Sequence, residues 1–297
     1  MPTNRSLFSI DFAGCALSDC GSNQTECSIV PHHPLSPLVI LGSGYTARFL
    51  WPLVAGRSPE IFATSRAPEQ HLSHVPPAQR LRFDLSQQDT WTNIPRDADL
   101  LWCFPATPFE LTRQFATSLT GSNRRLVVLG STSAYDLGDS QEYPPPWIDE
   151  TAPIDLTKPR VQGEEYLRRE HGAIVLRVAG IYGPGRNPLD WIRTGRVGPT
   201  RKYVNLIHVE DLAAICLTAL ERGTPGEAYN VSDGTPHTWE DICNTMKVHG
   251  ARDFAGRPAQ EEAGKRIASH KLLRDVGLQL AHSDLYGSLH ELESAAH

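Results

Sequence analysis

Long apolar runs are missing from this chain. None approaches the roughly 18 residues that a membrane-crossing helix requires, so no membrane partner is expected. Positive charge is not in excess either. Lys and Arg number 28 against 34 Asp and Glu, giving a formal net charge of -6. Phosphate backbones select basic surfaces, so no nucleic-acid partner is expected. Six cysteines in 297 residues are too few for a disulfide scaffold. Cys103, Cys216 and Cys243 sit inside apolar segments and read as reduced core residues of a cytoplasmic protein. Internal repeats are absent. What remains is 40% hydrophobic and 21% charged, the composition of an ordinary soluble globular protein.

Residues 1–36 differ from the rest. They hold Ser, Asn, Gly, Cys and Pro with little periodicity and read as a poorly ordered extension. Cys15, Cys20, Cys27, His32 and His33 match no standard zinc spacing, and no metal is expected. A transit peptide should be basic and poor in acids, whereas Arg5 stands alone against Asp11, Asp19 and Glu26.

The most informative stretch follows. Leu38-Val39-Ile40-Leu41 is a short apolar run, the pattern of a strand buried on both faces. Gly42-Ser43-Gly44-Tyr45-Thr46-Ala47 comes next and leads into a helix-forming segment. In such a turn the first glycine permits a tight bend. The second lets backbone N–H groups approach a pyrophosphate, and a small third residue lets helix and strand pack closely. The helix N-terminus adds unpaired N–H groups and a positive dipole end. The stretch from Gly42 to Ala47 therefore predicts a bound dinucleotide.

Ile61 to Thr64 reads as a second strand, ending at Ser65 and Arg66. An acidic residue at about this distance would bind the ribose 2′-hydroxyl of NAD. None stands there. Ser65 and Arg66 suit a 2′-phosphate instead, so the expected cofactor is NADP, with NAD as the alternative. Leu81 to Leu85 reads as a third strand, placing Asp84 and Leu85 beside an adenine. Residues 98–104 form a fourth, with Phe104 and Pro105 at its end. Phe109 to Leu119 has helical spacing, and Leu126 to Gly130 is a fifth strand running into Ser131. Residues 139–159, rich in proline and acid, read as a loop. Arg160 to Glu170 suits a helix, 174–178 a sixth strand, and 205–207 a short strand. Val209, Leu212, Cys216 and Leu220 lie on one helical stripe. Tyr229 to Val231 is a further strand. Thr238 to Asp241 spells a capping box, and Lys271 to Val276 a short helix. Strands alternating with helices predict an α/β fold built on a doubly wound parallel sheet. Ligands bind such sheets beyond the carboxyl ends of the strands.

The glycine turn, Gly130 to Tyr135, Asp149 to Pro153, Arg177 to Gly185, Asn205 to Leu212 and Tyr229 to Val231 occur in an order that resembles the extended and atypical short-chain dehydrogenase/reductase superfamily. This is the group of NAD(P)-dependent nucleotide-sugar epimerases and dehydratases. The resemblance covers residues 37–297. It implies a Rossmann domain over 37–182 and a C-terminal part, 183–297. Most of that part would be a small substrate lobe, with strands and a helix at about 201–231 returning to the Rossmann domain.

In that superfamily a Ser or Thr orients the substrate, a Tyr exchanges a proton with it, and a Lys lowers the Tyr pKa and holds the nicotinamide ribose. Ser131 matches the hydroxyl. Leu156 falls where the tyrosine belongs and Arg160 where the lysine belongs. Leucine carries no proton, and arginine stays charged while still able to hold ribose or phosphate. Lys158, Tyr135, Tyr166 and Tyr182 are the available substitutes. His208 is either a substrate contact or the residue that starts the Val209 helix. The resemblance implies an NAD(P)-dependent oxidoreductase or epimerase-like enzyme acting on a small polar or sugar-like molecule. The replaced Tyr and Lys keep a second reading open, a non-catalytic NADP(H)-binding sensor or partner-binding protein.

Overall fold

The computed structural model describes residues 37–58, 60–121, 124–138, 140–248 and 263–295. They belong to the unit His33–His297. The extension 1–36 and most of the polar stretch 251–266 lie outside the described residues.

The strands, in chain order, begin with β1 (Leu38–Leu41), β2 (Ile61–Ser65), β3 (Arg80–Arg82), β4 (Asp99–Trp102) and β5 (Leu126–Ser131). They continue with β6 (Trp147–Ile148), β7 (Ile174–Val178), β8 (Gly180–Tyr182) and β9 (Tyr203–Val204). The last are β10 (Leu206–His208), β11 (Ala228–Val231), β12 (His237–Thr238) and β13 (Arg266–Ile267). The helices are α1 (Tyr45–Val54), α2 (Pro68–His71), α3 (Phe109–Ser118), α4 (Pro159–His171) and α5 (Pro188–Arg193). After them come α6 (Val209–Arg222), α7 (Trp239–Met246), α8 (His270–Val276) and α9 (Leu285–Ala295).

Seven strands form one parallel sheet in the order β11-β7-β5-β4-β1-β2-β3. The chain runs outward one way from β1 through β2 to β3, then returns to β4 on the other side. The order therefore reverses between β1 and β4, where an open α/β sheet leaves a crevice beyond its strand ends. The expected doubly wound fold is what the chain forms.

β1 sits at the centre because it is apolar at every position. Leu38 and Ile40 pack on one face with Leu50 and Trp51 of α1 and Leu212 and Cys216 of α6. Val39 and Leu41 pack on the other with Trp102 of β4, Phe115 of α3 and Leu167 of α4. All four β1 residues are at most 1% exposed. A parallel strand covered on both faces has no polar side to alternate with, and this explains the unbroken run. A third core joins the C-terminal elements through Tyr182, Leu189, Trp239, Ile242, Leu285 and Leu289.

Local boundaries moved by one to three residues. The third strand ends at Arg82 rather than Leu85 because the Asp84 side chain turns the chain, accepting from the Ser86 N–H at 2.9 Å. Helix α4 starts at Pro159, a residue suited to a first helical turn. The expected loop 139–159 contains β6, which pairs with β13. The capping box is present: Thr238 Oγ1 accepts from the Asp241 N–H at 3.0 Å, and Asp241 Oδ2 accepts from the Thr238 N–H at 3.2 Å. Among the described residues no helix is long and apolar enough to cross a membrane.

Candidate dinucleotide site

The crevice is built from the glycine turn upward. Gly42 has a φ of 98°, a conformation that favours glycine, and a Cβ there would stand 3.1 Å from Phe104 Cδ1. Its N–H donates to Thr64 Oγ1 at 2.9 Å, which pins the turn to β2. Gly44 is the N-cap of α1 and carries no side-chain cap; a Cβ there would meet nothing within 4 Å. Open space therefore faces the start of a ten-residue helix, where N–H groups and the dipole favour an anion. Ala47 is buried in the core and lets α1 lie close to the sheet. Gly42 makes the tight bend and Ala47 the close packing that the spacing predicts, and Gly44 leaves the helix start open.

A cleft of about 630 Å³ opens over these strand ends. Among its lining residues are Gly42, Ser43, Gly44, Ser65, Arg66, Asp84, Leu85 and Phe104. Eight of the positions singled out in the sequence thus meet in one place. Tyr45, Thr46, Ala47 and Pro105 do not line it. Tyr45 points elsewhere: its hydroxyl donates to the Pro184 carbonyl at 2.9 Å, and the Arg186 guanidinium lies 4.9 Å from its ring centroid. It ties the glycine turn to the loop after β8.

Nine further residues line the cleft without having been singled out as site residues in the sequence, among them Arg48, His71 and Thr107. Arg48 lies one helical turn beyond Gly44, a spacing that could have flagged it. His71 ends α2 and touches Ser65, a contact no spacing announces. Arg66 is exposed and makes no hydrogen bond or ion pair among the described residues. Asp84 accepts from the Ser86 hydroxyl at 2.7 Å, and this bond, with Arg66 and Arg82 nearby, holds its carboxyl below the usual range. The volume, the open glycine and the exposed Arg66 guanidinium fit the adenosine and phosphate portion of a dinucleotide.

The second group lies at the end of β5. Ser131 is half-buried, and its Oγ accepts from the Ser133 N–H at 3.1 Å, capping the short turn Thr132–Tyr135. Lys158 Nζ donates to the Ser133 carbonyl at 2.7 Å and pairs with Asp136 at 3.1 Å. Lys265 donates to the Thr132 carbonyl at 3.1 Å and also pairs with Asp136. Two ammonium groups thus converge on the turn that follows Ser131. Arg160 Nε donates to Glu164 Oε1 at 2.7 Å, and its Nη2 to the Leu129 carbonyl at 3.1 Å. Glu164 is 2% exposed beneath Gly130, and burial pushes its carboxyl up to about 7 against the pull of Arg160. Leu156 is exposed on the approach to α4. Neither Ser131 nor Arg160 lines the 630 Å³ cleft.

The tyrosines considered as substitutes are packed away. The Tyr135 hydroxyl accepts from Arg177 Nη1 at 2.8 Å and donates to Asn230 Oδ1 at 2.7 Å. Burial raises its pKa despite Arg177. Tyr182 is fully buried, and burial raises its pKa as well. Tyr166 stacks edge-on against Phe109, 5.7 Å between centroids. His208 starts α6 as its N-cap, Nδ1 accepting from the Glu210 N–H at 3.4 Å. His282 stacks on it, 3.7 Å between centroids, and reaches Glu210 at 3.1 Å. The atoms of His208, Glu210 and His282 fall within 4.8 Å of one another. The imidazoles lie nearly face to face, 29° between planes.

Asn230 also donates to the Ile148 and Ala268 carbonyls at 3.4 and 3.1 Å. Asn205 grips the same returning segment through Lys265 and Ile267 at 2.8 Å each. Two residues that carried the resemblance are therefore clasps for β6 and β13.

No protein-family model matches the chain. Protein YeeZ of Escherichia coli K12 is 33% identical over 114 residues, 36% of this chain and 39% of that protein. The match thus spans about two fifths of the length of the curated relative. A conserved protein of unknown function from Silicibacter pomeroyi shares the fold with a TM-score of 0.65 at 25% identity, covering 87% of this chain and 98% of that one. The human epimerase family protein SDR39U1, solved with NADPH, superposes with a TM-score of 0.62 at 19% identity, over 86% of this chain and 99% of its own. The sheet order and the crevice define an α/β protein with a doubly wound parallel sheet. It shares its fold with epimerase-like proteins of known structure.

Proposed function

We propose that the chain binds NADP in the cleft over β1, β2 and β4 and acts as an epimerase-like oxidoreductase on a small polar or sugar-like substrate. One observation carries the cofactor: Arg66, an exposed guanidinium with no hydrogen bond or salt bridge among the described residues, stands where an NAD-binding chain carries an acid. The SDR39U1 structure, which holds NADPH, supports the same reading by likeness of fold.

The nicotinamide, when bound, supplies hydride transfer. The chain's own residues would do the rest. Gly42 to Gly44 and the start of α1 receive the pyrophosphate. Ser65 and Arg66 receive the 2′-phosphate, and Phe104 and Leu85 give the adenine an apolar wall. Ser131 orients a substrate oxygen. Arg160, braced by Glu164, holds ribose or phosphate instead of tuning a tyrosine. Half-buried Lys158 and Lys265, whose ammonium groups both reach the turn after Ser131, are the groups placed to give a proton there.

The sensor reading has its own support. Leu156 has no ionisable group, and the Ser131 hydroxyl already serves the Ser133 N–H. Following NADPH absorbance with nucleotide sugars and small ketones, beside direct binding, separates the two. Turnover favours the enzyme. Micromolar NADPH binding with no turnover across such a panel favours the sensor.

A further inference from the structure

Ser65 closes β2 and is 4% exposed. His71 closes α2 and is exposed to the same cleft. Ser65 Oγ and His71 Nδ1 stand 2.7 Å apart, and the same Oγ accepts from the Ala67 N–H at 3.2 Å. A hydroxyl has one proton to give. While His71 Nδ1 is bare, Ser65 donates to it, and the hydroxyl has nothing left for an anion. When both ring nitrogens carry protons, Nδ1 donates to Ser65, and the hydroxyl proton turns free. The neutral Nδ1–H tautomer would also free the hydroxyl, but it leaves a lone pair on Nε2 and brings no charge toward a dianion.

We infer that Ser65 and His71 form a proton-coupled clamp for the 2′-phosphate of NADP, in which binding of the phosphate draws a proton onto His71. This deepens, and rests on, the reading that the cleft holds NADP. The surrounding charges favour it. Arg66 adjoins Ser65, and Arg48 lines the same cleft. On α2 itself Glu69 is neutralised by Arg80 at 2.8 Å. On β3 Arg82 is engaged by Gln87 at 2.9 Å. Asp84 is the one carboxylate lining the cleft, and it is tied to Ser86. A phosphate monoester carries close to two negative charges near neutral pH, and imidazole is the side chain whose charge changes between about pH 5 and 8.

Titration calorimetry of NADPH and NADH on the full chain, at about pH 7.5 in buffers of different ionisation enthalpy, reads the protons exchanged. The clamp predicts proton uptake with NADPH, none with NADH, and none with NADPH on His71→Gln. It also predicts that the ratio of the NADH to the NADPH dissociation constant rises roughly tenfold from about pH 8 to about pH 6, the worth of one charge-assisted hydrogen bond. The ligand's own phosphate works the other way, since it gains a proton near pH 6 and then binds more weakly. The sign therefore separates the two. NADPH binding without uptake, or with equal uptake in His71→Gln, overturns the clamp and leaves the NADP reading standing. Binding of neither nucleotide, or of NADH alone, overturns both. NADH binding serves as the folding control for His71→Gln.

Discussion

Glu164 Oε1 accepts a hydrogen bond from Arg160 Nε at 2.7 Å, directly beneath the strand end that carries Ser131. The carboxyl is buried and its pKa is pushed up to about 7 from 4.5. A carboxyl raised on folding stabilises the protein fully below its unfolded value. That contribution is lost as pH rises through the folded value. Glu164→Gln keeps the acceptor and removes the charge. Its stability relative to wild type should therefore grow between about pH 4.5 and 7, by about 1–3 kcal/mol. Urea melts of both proteins across that range check it. A difference that stays flat or shrinks with pH contradicts the burial of this charge. Asp233, raised to about 7 mainly by burial, should show the same sign in Asp233→Asn.

Gly163 brings α4 against the loop after β4. A Cβ there would lie 2.0 Å from the Ala106 carbonyl oxygen, which is backbone and cannot step aside. Gly163→Ala should cost about 2–3 kcal/mol despite alanine's better helix propensity. Thr107 and Pro108 line the cleft, so NADPH binding should weaken with it. Thermal melts and a nucleotide titration test both halves. An unchanged melting temperature would show that the two segments part without cost.

The glycine turn, the doubly wound parallel sheet and eight residues of the cleft were legible because they follow from local rules. An apolar run followed by Gly-x-Gly means a central strand and a tight turn into a helix, and Gly42 and Ala47 stand where that logic put them. His71 was not legible, because its role depends on a contact with Ser65 made by folding α2 back on β2. Asn205 and Asn230 carried the resemblance yet act as clasps; a motif residue's partner lies elsewhere in the chain, and its type does not tell a clasp from a contact to ligand. Leu156 and Arg160 could be read as departures, but the bracing of Arg160 by Glu164 and Leu129 appears only in three dimensions.

Tyr135 links Arg177 to Asn230 inside the protein. Tyr135→Phe leaves the Asn230 oxygen and one Arg177 N–H without that partner, at a cost of about 1–3 kcal/mol. NADPH affinity and any turnover should stay close to wild type. A collapse of turnover at undiminished stability would make Tyr135 the proton donor after all.

Arg160→Ala should raise the NADPH dissociation constant more than it lowers the rate of the loaded protein, since arginine holds anions and does not shuttle protons. Leu156→Tyr combined with Arg160→Lys should gain turnover by restoring the superfamily's pair. Unchanged binding with a rate collapse in Arg160→Ala would place the guanidinium in transition-state stabilisation.

Selection of NADP by Arg66 is checked by parallel titrations of NADPH and NADH against wild type and Arg66→Ala. NADPH should bind the wild type more tightly, by roughly 1.5–3 kcal/mol, with that preference lost in Arg66→Ala and NADH affinity little changed. Equal affinities for the two nucleotides in the wild type would contradict it.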